Sequence, residues 1–475
     1  MSEHIRDIQL NPVKSTIMLG IPIIMLYFLS SMYSLIDVYW IDGLGTSAVV
    51  CMGYISNLIY VIDNLGDGIG RSTNILISHA FGANEIEKTE KYAEQGLLLI
   101  LILSFIIPII SIPIIKPICI MANIAEYSDM IFAYIAPCLG FIIIIMIDNF
   151  FSAILGSEGD TKRAAIIVVA GNVLNLILDP ILIFNLNLGM IGAAIATIIG
   201  SLFSVALFYY LYSIKQDTLV KIHLRGFKPD MKIQKEIIVL AVPIIITSII
   251  LTIIGIIVTY SLHIYASPVS AFAYIIILNI QSTVFTPIQG LLKGLCIVTG
   301  HLAGAKRFGE LKKTIKKIIS ICLAIAIIIA LALTIFHNPI ISIFSNEYVV
   351  LSEVRNILIF VIIYILTFPA IMGCSYVFFG LEKSIYTLMF LIFNLSCIII
   401  FMVIFNHFLG LSSFGIYLSI ILSNVIEASL MLLVLKKMLN AKINEYGLEN
   451  ESNTLLIQWN IGLLFSDMLF FNIYN

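Results

Sequence analysis

The chain has 475 residues, of which 60% are hydrophobic and only 11% charged, with a mean hydropathy of +1.07 and a formal net charge of −2. Soluble domains carry about 25% charged residues, so this composition excludes a soluble globular protein and indicates an integral membrane one. The net charge carries no information about nucleic acid, and no basic cluster suggests such a partner, so the lipid bilayer is the expected surroundings.

The first fifteen residues, MSEHIRDIQLNPVKS, are polar and lack a cleavable signal pattern, so the first apolar run is expected to be a retained span. Apolar runs of about 20 or more residues recur twelve times. In the first half they fall near 16–41, 47–80, 95–120, 129–155, 164–186 and 189–214. In the second half they fall near 236–264, 268–300, 315–336, 353–380, 385–408 and 414–435. The polar segment 215–235, KQDTLVKIHLRGFKPDMKIQK, divides the chain into an N-terminal lobe (1–214, spans 1–6) and a C-terminal lobe (236–438, spans 7–12). That connector is expected to be cytoplasmic and slack, a tether between two rocking lobes whose topology a probe at Gly226 would test. A tail, 439–475, ends in LLIQWNIGLLFSDMLFFNIYN; its Asp, Asn and Gln make a poor thirteenth span, so it reads as an interfacial helix.

Of the 26 Lys and Arg residues, all but Arg71, Lys116, Lys293 and Arg355 fall in the N-terminus, the loops after even-numbered spans, or the tail. The positive-inside rule therefore places both termini in the cytoplasm. The two halves also repeat. LGIPIIMLYFLSSMYSLIDVYW aligns without a gap on LAVPIIITSIILTIIGIIVTYS, and GIGRSTNILISHAFGAN matches GLLKGLCIVTGHLAGAK at a shift of 222, pairing Arg71 with Lys293 and His79 with His301. With six spans per half, the repeat is parallel and its pseudo-two-fold axis runs along the membrane normal. Such repeats mark transporters. The expected fold is thus all-α and integral to the membrane, twelve helices in two six-helix lobes.

The stretch 171–200, GNVLNLILDPILIFNLNLGMIGAAIATIIG, carries a carboxylate amid hydrocarbon. Asn172, Asn175 and Asp179 are spaced to line one helix face. Pro180 lacks an N–H and would leave the Leu176 carbonyl without its helical partner. Gly192, Ala193, Ala194 and Ala196 form a small-residue surface for close helix approach, with Thr197 beside it. An ionisable group inside a span costs at least ~2.5–3.5 kcal/mol, which makes Asp179 a functional candidate over a helix cap or a snorkelling side chain. Counting at ~1.5 Å per residue sets Asp37, Asp179 and Thr197 at similar depth in the outer half, with Asn175 one turn deeper. Carboxylates, amide and hydroxyl together make an oxygen-rich set suited to a hard cation. A proton shared between the carboxylates would serve equally well, because burial and a like charge both oppose a pair of anions. The repeat places Val258 opposite Asp37, Cys397 opposite Asn175 and Phe401 opposite Asp179, so the chemistry belongs to the N-terminal lobe.

Other polar groups carry blander readings. Asp63, Asp67 and Arg71 recur every four residues in span 2, and a structural or gating Asp67–Arg71 pair is favoured over a transport site. Asp148, Asn149 and Glu427 fit a cavity lining and a packed hydrogen-bonded role about equally. The seven histidines do not cluster, the seven cysteines lack metal or disulfide spacing, and no P-loop is present.

Taken together, IDVYWIDGLGTSAV after span 1, HAFGANE after span 2, GSEGDTKRA after span 4 and NLILDPILIF…LGMIGAAIATIIG resemble the MATE (multidrug and toxic compound extrusion) family over nearly all of residues 10–438. Within it the chain is similar to the DinF-type branch, whose coupling acids lie in the N-terminal lobe; the NorM-type acids of spans 7 and 10 have no counterpart here. Ser78-His79 departs from the family's more usual Gln before the turn. The resemblance implies a cation site at Asp37, Asn175, Asp179 and Thr197, which would also be the metal ligands if the ion is Na⁺. It implies substrate contacts at Tyr33, Asn149 and Asn172. It further implies a Na⁺- or H⁺-coupled antiporter, exporting bulky and often cationic organic molecules by alternating access. Such a protein is a monomer in the plasma membrane with no cofactor beyond the coupling ion, and not an enzyme. The alternatives are a lipid-linked oligosaccharide flippase of the same superfamily, which would need a basic cavity, and an intramembrane transferase, which would need paired Asp motifs at a membrane face.

Overall fold

The computed structural model describes residues 3–121, 124–222, 228–341 and 348–446. Gly226 and the expected interfacial helix beyond Tyr446 lie outside the described residues. Ten unbroken helices are long and apolar enough to cross a membrane, and two bent pairs complete twelve. In the first lobe these are span 1 (Pro12–Asp42), span 2 (Thr46–Gly82), span 3 (Ile86–Met121), span 4 (Ala125–Gly140 with Ile142–Ser157), span 5 (Thr161–Asn185) and span 6 (Gly189–Lys215). In the second they are span 7 (Met231–Tyr265), span 8 (Pro268–Val284 with Thr286–Gly304), span 9 (Phe308–Ile340), span 10 (Tyr348–Gly380), span 11 (Ser384–Phe408) and span 12 (Ser412–Glu445). A short helix, Glu3–Leu10, precedes them.

Spans 3, 9 and 12 extend up to ten residues beyond their apolar runs, at the end of the bundle that carries the N-terminus, called the inner end below. Hydropathy registers only the segment bathed in lipid, whereas a helix continues while its backbone bonds are satisfied. Both bends also escape hydropathy. Span 8 turns by 52° at Phe285, just before Thr286-Pro287. Pro287 has no N–H to donate and disfavours helical backbone in the residue ahead of it. Span 4 turns by 58° at Phe141, whose backbone leaves the helix at φ −113°, ψ 18°.

Span 5 ends in a π-turn, Ile181–Asn185, and span 11 in another, Val403–Phe408. The repeat shift carries Ile181 onto Val403, yet the position matching Pro180 is Met402. The widened turn therefore belongs to the fold and does not require the proline.

The same shift governs packing. Span 1 packs on span 5 as span 7 does on span 11, span 5 on span 6 as span 11 on span 12, and span 2 on span 3 as span 8 on span 9. Each lobe has its own apolar core, but the cores exchange residues at the inner end: Leu19 of span 1 joins the second, while Ile237, Leu240 and Ile244 of span 7 join the first.

Glycines let the lobes close there. A Cβ at Gly82 would sit 2.1 Å from the His301 carbonyl oxygen, and one at Gly304 would sit 2.0 Å from that of His79. Backbone thus meets backbone across the seam. His301 Nε2 lies 3.0 Å from the Ser157 carbonyl, and His79 Nδ1 lies 3.4 Å from the Glu382 carboxylate, so the repeat-related histidines each tie one lobe to the other.

The described stretches of the connector are anchored. Glu158, at the inner end of span 4, accepts bonds from the backbone N–H groups of Leu219 (2.8 Å) and Val220 (3.2 Å) and from the Tyr212 hydroxyl (3.2 Å). Further along, Gln95 of span 3 donates to the Lys228 carbonyl at 2.9 Å and accepts from the Asp230 N–H at 3.0 Å. Both described stretches of the connector are bound to the first lobe.

Candidate functional site

Spans 1, 5 and 6 pack together, and span 6 reaches span 5 through glycines. A Cβ at Gly200 would lie 2.7 Å from the Gly171 carbonyl oxygen and 2.9 Å from the Asn175 Cβ; one at Gly192 would lie 2.7 Å from the carbonyl carbon of Leu182 in the π-turn. Any larger residue would separate the helices, so the small-residue stripe sets how closely Asn175 and Asp179 approach Thr197.

The expected cation set assembles at this junction. The Asp37 and Asp179 carboxyl groups face one another across spans 1 and 5. Asp179 is fully buried, Asn175 is 2% exposed and Asp37 8%. Asn175 Nδ2 donates to Thr197 Oγ1 at 3.1 Å, and the Thr197 hydroxyl donates to the Ala193 carbonyl at 3.1 Å. That leaves acceptors without donors: Asp179 Oδ1 and Oδ2 and Asn175 Oδ1 are all buried with no hydrogen-bond partner. Buried acceptors of this kind are costly, and buried charges are tolerated only when paired. The unmatched oxygens fit a positive species, either a proton between the carboxyl groups or a hard metal ion with Thr197 Oγ1 completing the set. Among the described residues no three His, Cys, Asp or Glu side chains gather as a metal site, so a metal here would depend on the amide and hydroxyl as well as the acids.

A cavity opens beside the carboxyl pair, lined by Tyr33, Asp37, Asp63, Tyr134, Cys138 and Thr197 among others. Tyr33 thus stands where the sequence reading expects it. Asn172 lies deeper on span 5 and reaches span 1, its Nδ2 3.4 Å from Ser30 Oγ, without lining this cavity. Asn149 is exposed one turn inward of Ile145, which does line it. Sequence reasoning passed over Tyr134, whose hydroxyl lies beside Thr197 although the residue is only 4% exposed. It is one aromatic among many, and which helix it meets is not written in its spacing. Asp63 is also separated from the pair read beside it: Asp67 and Arg71 form the expected ion pair at 2.5 Å, while Asp63 faces the cavity.

The second lobe keeps the scaffold of the site without its acids. Ser419 occupies the position of Thr197 and donates to the Gly415 carbonyl at 2.7 Å, as Thr197 does to Ala193. Val258, opposite Asp37, is fully buried in apolar packing. The pair of acids thus has no copy in the repeat.

Comparison with known proteins bears on both lobes. The MatE family model matches residues 22–181 and 243–407, one segment in each half. The chain is 23% identical over 392 residues to the multidrug export protein MepA of Staphylococcus aureus, covering 80% of this chain and 84% of that one. It is 23% identical over 379 residues to MepA of Staphylococcus haemolyticus, covering 78% and 81%. Among solved structures, one described as the outward-facing conformation of a multidrug resistance MATE family transporter superposes with a TM-score of 0.88 at 26% identity, covering 93% of this chain and 99% of that one. A transporter of the MOP superfamily from Pyrococcus furiosus, whose report describes a reversed polarity of its binding pocket, gives the same TM-score, identity and coverage.

Proposed function

The chain belongs to the MatE family and is a multi-pass membrane transporter, not an enzyme, and from that premise we propose that it is a cation-coupled antiporter of the DinF-type branch. It exports bulky organic compounds, as the name of its MepA relatives suggests, while Na⁺ or H⁺ enters at Asp37, Asn175, Asp179 and Thr197. It works as a monomer in the cell membrane with both termini cytoplasmic. Tyr33, Asn149 and Asn172 contact the substrate on the way out.

One observation carries the reading: a fully buried carboxylate and amide oxygen left without donors, facing a second carboxylate. A bound cation relieves the repulsion and desolvation of the pair. The chain's part is to hold those oxygens together across spans 1, 5 and 6, so that relative movement of span 1 would break the set. In this way occupancy and lobe position become linked, since a ligand shifts an equilibrium by its differential affinity for the two states. The flippase alternative is less well supported. Its anionic substrates need several basic groups, yet of the two cations within the spans Arg71 is paired with Asp67, and Lys293, whose Nζ donates to the neutral Tyr27 hydroxyl at 2.9 Å, supplies a single charge.

The oxygen count favours Na⁺. Efflux from membrane vesicles under imposed gradients tests this. Asp37→Asn and Asp179→Asn should each abolish ion-driven efflux while the protein still reaches the membrane, and retained efflux would refute the assignment. Thr197→Val deletes one oxygen ligand, keeps the shape and leaves both carboxyl groups to titrate. It should raise the Na⁺ needed for half-maximal efflux at fixed pH; efflux that follows pH alone in both proteins would make this a proton site.

A further inference from the structure

The C-terminal lobe encloses a second cavity that none of the roles above uses. Tyr274, Phe360, Tyr364 and Tyr417 give it an aromatic lining. Several helices bring polar residues to it, among them Thr387 and Asn394, seven residues apart on span 11, and Asn424 and Glu427, three apart on span 12. Glu427 is 4% exposed, lines the cavity, and has no hydrogen bond or ion pair among the described residues. Of the amides lining the same cavity, Asn394 Nδ2 donates to Asn424 Oδ1 at 3.0 Å. The Thr387 and Tyr417 hydroxyls are likewise buried without partners. Arg71 touches the same cavity but is held by Asp67 on its own helix. Among the described residues Glu427 is therefore the unpaired carboxyl of this cavity.

We propose that the cavity is a subsite for the positively charged group of an organic cation, with Glu427 as its counter-charge. A buried ionisable side chain within a span is retained where a partner or ligand meets it. The lining decides which ligand. Aromatic faces attract large, weakly hydrated cations, and a delocalised or quaternary cation needs no shell of hard oxygen ligands. A small metal ion would need one, whereas the lining brings a single carboxylate among its described residues. The inference rests on the antiport reading for its substrate class and deepens it: coupling ion and exported charge are met in different lobes, so they do not compete for one carboxylate pair.

Equilibrium binding to the purified full-length protein in detergent tests the division, with ethidium as the cationic probe and N-phenyl-1-naphthylamine as a neutral aromatic one. Glu427→Gln should weaken ethidium at least tenfold and leave the neutral probe within twofold, while Glu427→Asp retains most of the affinity. Unchanged ethidium affinity in Glu427→Gln, or a parallel loss of both probes, overturns the subsite while leaving the antiport reading standing. Failure of the unaltered protein to bind ethidium overturns both. A measurement on the unaltered protein guards against a misfolded variant: dicyclohexylcarbodiimide should modify Glu427 more slowly when ethidium is present, and equal modification with and without it overturns the proposal.

Discussion

Replacing Gly304 by alanine tests whether the inner seam is held shut by backbone contact. The added Cβ would lie 2.0 Å from the His79 carbonyl oxygen, whereas ordinary contact begins at 3.4 Å. The lobes must therefore part locally by about 1.4 Å, or, under the proposed alternating access, a state that separates this seam must become more populated. The atom in the way is backbone and cannot rotate aside. Overpacking of this kind costs ~1–3 kcal/mol, which corresponds to roughly a 5- to 150-fold shift in a two-state equilibrium. Alanine's better helix propensity, ~1 kcal/mol, applies in both states and cancels. Spin labels at Lys88 and Lys383, exposed on opposite lobes at the inner end, report the shift once the native cysteines are replaced. Gly304→Ala should add a longer-distance component to the pulsed dipolar distribution. Gly255→Ala should not, because nothing lies within 4 Å of its Cβ. If the Gly304→Ala distribution superimposes on that of the parent, the glycine seam does not control the closed state.

The cation site and the connector give two further tests. Gly200→Ala should displace Asn175, whose Cβ would be 2.9 Å from the new methyl, and raise the coupling-ion concentration needed for half-maximal efflux several-fold; an unaltered ion dependence would separate helix spacing from the site. At the connector, burial pushes the Glu158 carboxyl up to about 7 from an ordinary 4.5, although the bonds from Leu219, Val220 and Tyr212 pull the other way. Between these values the folded protein binds more protons than the unfolded one, so this group's stabilisation is full below about 4.5 and lost as pH rises through 7. Glu158→Gln should flatten the decline of melting temperature across that window, and an identical slope would show that Glu158 is not its source. The same variant should expose residues 217–220 to limited proteolysis.

Composition and hydropathy were enough for the membrane class, the twelve spans and their grouping, because a bilayer demands long apolar helices and permits little else. The acids could be singled out for the same reason: Asp37 and Asp179 are costly where they lie, and the repeat places Val258 and Phe401 opposite them. Spacing on one helix was sufficient to set Asn175 and Asp179 on a common face and to pair Asp67 with Arg71. Periodicity along a single helix does not say which neighbour that face meets. The approach of spans 1, 5 and 6, the donor-free state of the Asp179 and Asn175 oxygens, and the inward turn of Tyr134 all arise from contacts between helices. The glycines of the inner seam are ordinary in sequence and acquire meaning only when opposed by the His79 and His301 carbonyls. Glu427 reads as ambiguous along span 12; the aromatic cavity around it comes from how spans 7, 8, 10, 11 and 12 pack around one space. The connector shows the limit most plainly, since its polarity suggests slack while Glu158 and Gln95, distant in the chain, hold it to the first lobe.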